Sequence, residues 1–147
     1  MVFKNEKQLE RFLLNKCRLA ILKAQDEIYS IIKRFLYQYY NDYDPIIYQR
    51  TYQLLQSLVQ SRIVSSGKGY KAEVYFNIDG LNYMDGRQPS GKQVMDAAAE
   101  GWHGAEGMLV VAGDTGVSAW NDPKQVLDAE AINILKRMLI SEGIPIK

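Results

Sequence analysis

From Asn5 to about Asn41, apolar residues recur at spacings of three and four: Leu9, Phe12 and Leu13, Cys17, Ala20 and Ile21, Ala24, Ile28, Ile31 and Ile32, Phe35, Tyr39. That is the period of a helix with one apolar face. Lys7, Glu10, Arg11, Lys16, Lys23, Asp26, Glu27 and Lys33 fill the rest of the surface, and no Gly or Pro interrupts the run. At ~1.5 Å per residue such a helix extends about 55 Å, longer than a small domain is wide. The rest of the chain is too short to cover all of it. The helix must therefore break, or part of its apolar stripe must pack against another subunit. Asp44, before Pro45, is pushed out of helical conformation and ends it.

Residues 46–57 are ambiguous, although Ile47, Leu54 and Leu55 could line a short second helix. Leu58–Ser65 and Tyr70–Asn77 have strand character, and the Ser-Ser-Gly-Lys-Gly between them supplies a hairpin turn. In the second run Ala72, Val74, Phe76 and Ile78 alternate with Glu73, Tyr75 and Asn77, so one face is buried and the other is wet or in contact with a partner. Residues 79–92 form a loop rich in Gly, Asp, Asn and Pro. Ser90 is placed to cap a short helix over Lys92–Glu100 that ends at Gly101. The apolar run Met108–Ala112 could add a strand. Asn121-Asp122-Pro123 reads as the start of a last helix over about 123–142, with Val126, Leu127, Ile134, Leu135, Met138 and Leu139 as its apolar face and Gly143 and Pro145 as its stop.

The order excludes a repeating βαβ unit and predicts an α+β protein: a long N-terminal and a C-terminal helix packed on a small antiparallel sheet. A single domain is expected over 1–147. The long helix occupies 1–42; the hairpin, glycine-rich loop, short helix and further strand occupy 43–119; the C-terminal helix occupies 120–147.

Composition narrows function mostly by exclusion. Eighteen Lys and Arg against 17 Asp and Glu leave a net charge of +1. That lacks the basic excess on which duplex-DNA affinity depends. Cys17 is the single cysteine, and the first ten residues are charged and lack the apolar stretch of a signal peptide, so a reducing compartment is expected. His103 is the single histidine, so no multi-histidine zinc site can form within one chain. As a general base, an interface pivot or a loop residue bonded to backbone, His103 stays open. Asp79, Asp85 and Asp114 adjoin glycine, which is turn chemistry before it is metal chemistry. Ser66-Gly67-Lys68-Gly69 and Ser90-Gly91-Lys92 lack the spacing of a phosphate loop. Nothing joins a nucleophile to a base and an orienting group, and Cys17 sits on the helical stripe as a packing residue. No enzyme, cofactor or metal is expected.

The tyrosines are the compositional oddity: of ten, six fall between Tyr37 and Tyr52. Such rings serve subunit interfaces, stack nucleobases, or pack half-buried around a helix end.

Tyr43-Asp44-Pro45, then Tyr48-Gln49-Arg50-Thr51-Tyr52 and Leu54-Leu55-Gln56-Ser57-Leu58, resemble the segment after the first helix in a group of phage structural proteins. That group is the head–tail joining, or tail-completion, family of long-tailed bacteriophages and prophages. Ala98-Ala99-Glu100-Gly101-Trp102-His103-Gly104 is similar to a second element of that family. Where many members have a Pro-x-x-Thr-Gly turn, here Pro45 leads to Tyr48-Gln49-Arg50-Thr51 without glycine. The resemblance implies a virion neck component, made in the bacterial host cytoplasm. Its partners would be copies of itself in a ring and connector, portal-side or tail-tube proteins, with DNA only as a lumen contact and no membrane. The residues expected at subunit interfaces are Phe12, Tyr39, Tyr40, Tyr43, Tyr48, Arg50, Tyr52, Trp102 and His103. Arg50 suits a bidentate carboxylate contact, or is simply solvated. The alternative is a non-catalytic accessory module binding nucleic acid through the Tyr-rich segment beside Lys33 and Arg34.

Overall fold

The structure is a computed structural model describing residues 2–41, 52–81, 91–101 and 117–146. Helix α1 runs unbroken over Glu6–Asn41, as its periodicity predicts. Helix α2 is one short turn, Gln53–Ser57, and carries the buried Leu54. The hairpin follows as four short strands: β1 Leu58–Gln60, β2 Val64–Ser66, β3 Gly69–Lys71 and β4 Val74–Phe76. After a 3₁₀ turn at Ile78–Gly80 come helix α3, Gly91–Ala99, and helix α4, Asn121–Ser141. The architecture is the expected α+β one. The strand expected at Met108–Ala112 and most of the 79–92 loop lie outside the described residues.

The hairpin differs from two continuous strands. β1 pairs antiparallel with β4 in the register Leu58↔Phe76, and β2 with β3 in the register Val64↔Lys71. Between them three residues, 61–63, face two, 72 and 73, so the first strand carries one extra residue. This is a β-bulge. At its base Ser61 N donates to Glu73 O at 2.8 Å, while Glu73 N donates to the Ser61 hydroxyl at 2.8 Å instead of to its carbonyl. The displaced Ser61 carbonyl accepts from Gln25 Nε2 at 2.9 Å, and the same nitrogen reaches Glu73 O at 2.9 Å. Gln25 is buried on α1, so one amide fastens both strands to the helix. At the tip Gly67 leads a two-residue turn with φ +59°, the II′ arrangement that matches strand twist.

The core gathers Ile32, Leu36 and Tyr39 of α1 with Leu54, Leu58, Leu81, Ala98 and Ala119. Phe76 and Trp120 meet edge to face at its rim, 5.9 Å apart. Each buried Leu or Ile contributes about 1.5–3 kcal/mol. Gly91 opens α3 against the 3₁₀ turn so closely that a Cβ there would lie 2.2 Å from the Ile78 carbonyl oxygen. Only glycine fits that approach.

Helix α4 lies antiparallel along α1: Arg137 pairs with Glu27, and Glu142, just past its end, pairs with Lys16 and Lys23. Ile134 is buried in this seam, as are Ala20 and Ala24 of α1, whose small side chains permit close approach. At the start of α4, Ser118 N donates to Asp122 Oδ2 and Asp122 N to Ser118 Oγ, both at 2.7 Å. This is a reciprocal cap, one residue wider than the usual capping box. At the other end Gly143, at φ +83°, and Ile144 donate to the Ile140 and Leu139 carbonyls, a Schellman motif, as Gly143 predicts.

Candidate functional site

The two ends of α1 differ in cover. No described residue from Glu6 to Leu19 is buried, whereas the stretch from Ala20 to Tyr39 contains all six buried positions of the helix. The reason is length. At ~1.5 Å per residue α1 is about 54 Å long and α4 about 31 Å. The Lys16–Glu142 contact, 3.2 Å, marks where α4 stops. Beyond it Leu9 and Leu13 remain 39% and 41% exposed. They continue the face of Ala20 and Ala24 at spacings of three and four through Cys17, which is half-buried.

Phe12, expected on the uncovered stripe, is half-buried instead. The Phe3 ring lies 5.2 Å away and Lys16 Nζ sits 5.8 Å from its centroid, so the preceding segment partly shelters it. Tyr39 is 5% exposed and belongs to the core, which leaves almost none of it for a neighbouring subunit. Tyr40 meets it edge to face at 5.6 Å and lies 5.1 Å from Tyr52. Tyr52 is exposed and takes φ +54°, the left-handed region that non-glycine residues rarely occupy. The structure therefore brings Tyr39, Tyr40 and Tyr52 together at the end of α1 and leaves Phe12 far from them along the helix. Tyr43, Tyr48, Arg50, Trp102 and His103 lie outside the described residues.

Sequence reasoning missed a second surface. Ile132, about 160° around α4 from the buried Ile134, is 72% exposed, and Leu135, about 100° from it, is 38% exposed. Part of the signal was present: Leu135 and Leu139 read as the packing face, and Ile132, three residues before Leu135, extends that row onto the exposed side of the helix. Along α1, Lys33 Nζ lies between two rings, 5.5 Å from the centroid of Tyr29 and 5.9 Å from that of Tyr37. The three residues are four apart, so they stack in one row up the helix.

Glu142 has a displaced titration. Hydrogen bonds from Lys23 and then Lys16 hold its carboxyl below the usual carboxylate range, against the opposing effect of burial. The lysines also offset the unfavourable placing of a carboxylate at a helix C-terminus. Among the described residues no cluster of three or more His, Cys, Asp or Glu could hold a metal ion, and no helix is long and apolar enough to cross a membrane.

No curated protein and no solved structure matches the chain. Over residues 5–141, nearly its whole length, it matches the YomN family, which is associated with phages and prophages, and it belongs to that family.

Proposed function

Starting from that membership, we propose that this phage-associated chain is a virion structural protein: a head–tail connector or tail-completion component that works by protein–protein contact and not by catalysis. Its partners would be copies of itself in a ring and portal-side or tail-tube proteins. Its place would be the virion neck, after assembly in the host cytoplasm. The observation that carries this reading is the outer end of α1, where Leu9 and Leu13 of the apolar face stay exposed and no described residue from Glu6 to Leu19 is buried. A protein that acted alone would gain nothing from about 20 Å of projecting apolar helix. Near-neutral charge also spares identical subunits strong mutual repulsion. The test is mass spectrometry of purified particles of a phage that encodes the chain. The protein is expected in stoichiometric amounts in the particle, and its absence overturns the reading.

One observation favours a second reading. The exposed Tyr37 beside Lys33 offers a ring and a cation to a nucleobase and its phosphate, as single-strand binders do. Titration with single-stranded oligonucleotides at two salt concentrations tests it. Binding that weakens with salt supports it, and no binding removes it.

A further inference from the structure

Two apolar ridges face away from the chain's own core, and we propose that they bind each other between copies: the uncovered end of α1 in one copy seats on the outward face of α4 in the next. This rests on the assembly reading above and names its contact. Leu9 and Leu13 stand four residues apart on α1, and Ile132 and Leu135 three apart on α4, so each pair makes a short ridge on one side of its helix. Ile132 stands about 160° and Leu135 about 100° around the helix from the buried Ile134, so the α4 ridge runs from the flank of the seam to its far side. The α1 ridge continues the face that this chain's own α4 covers further along. It is the same kind of seam with no helix among the described residues laid on it, and α4's outer face supplies such a helix in every copy.

Charge distinguishes this contact from a pairing of two α1 ends. Glu6 and Glu10 each lie three residues before a ridge leucine, and Lys136 lies one turn after Ile132. None of the three takes part in the ion pairs among the described residues. Against α4 the acidic edge meets Lys136. Against a second α1 end it meets its own acidic copy, which is repulsive. Because the two ridges differ, the contact is heterologous. Every bound pair keeps one free ridge of each kind, and the contact repeats until it closes into a ring or runs on as a filament. Two turns of helix fall well short of the ~1,000 Å² of a stable interface, so one contact alone is weak.

Thiol trapping reads such a contact directly. In full-length protein with Cys17→Ser, the double variant Leu13→Cys, Ile132→Cys is oxidised at high protein concentration, with circular dichroism confirming the fold. The expected product is a ladder of dimers, trimers and larger species. No cross-link overturns the proposal. So does a dimer formed equally well by Leu13→Cys alone, which is the signature of two α1 ends meeting. Glu10→Lys and Lys136→Glu, each added to the double-cysteine protein, should lower ladder yield about two- to fivefold, and an equal mixture of the two should recover part of it. Unchanged yields overturn the pairing of these edges. A missing ladder together with the protein's presence in purified particles sinks this contact and leaves the assembly reading standing. Absence from particles sinks that reading itself.

Discussion

Between Glu6 and Leu19, α1 has half-buried residues but no buried one, and between Ala20 and Tyr39 it has six buried residues, yet both stretches repeat apolar side chains at three and four. The lower stretch meets the bulged hairpin, α2 and α4. The upper stretch runs past the end of α4, which lies along the rest of the helix. Periodicity dictates which face of a helix is apolar. It does not dictate what covers that face, because cover depends on the lengths and positions of other elements.

The sharpest way to break this contrast is to truncate one leucine in each half. Leu36 is fully buried, and Leu36→Ala should cost about 2–5 kcal/mol in urea unfolding. Leu13→Ala should cost under about 0.5 kcal/mol, the scale of an exposed position. Equal losses would mean that the outer end is covered in solution. At the boundary, Gln25→Leu keeps the side chain's bulk but removes the donor to the Ser61 and Glu73 carbonyls. It should cost about 1–3 kcal/mol, and amide exchange should quicken in β1 and β4 before it does elsewhere. A loss confined to the tip would place the anchor elsewhere. The smallest effect is at the Glu142 clamp, where the two stretches meet. Its lowered titration means that its contribution is present at neutral pH and is lost as pH falls through the usual carboxylate range toward the folded value. Thermal melts of Glu142→Gln and the parent should therefore differ slightly at pH 7 and converge in acid. A difference that grows with acid would reverse the sign of the argument.

Much of the fold was legible because it rests on local rules. The unbroken α1 followed from its spacing and lack of Gly or Pro, the hairpin tip from its glycines, and the end of α4 from Gly143. The bulge was not legible. One extra residue between two paired segments leaves the alternation of each segment intact, and Gln25 reads as an ordinary polar helix residue until its partners are known. The candidate surface was legible only in part. Tyr39 and Tyr40 are adjacent in sequence, but their directions differ by about 100° around the helix, so Tyr39 is buried in the core while Tyr40 packs half-buried against it. The exposure of Ile132 and Leu135 was not legible: Leu135 reads as part of the packing face of α4 and Ile132 falls outside it, and a sequence does not mark which apolar side packs inward.

The amide of Gln25 grips the hairpin at its waist and not at its tip, with consequences for handling the protein. Strand pairing below the bulge is moored to the rod and β3 also lies against it, whereas Val64–Ser66 and the Gly67–Lys68 turn are exposed. A short epitope or fluorophore-binding peptide spliced between Gly67 and Lys68 would therefore hang from a fixed stalk. It would give a handle for following the protein into particles without touching either ridge.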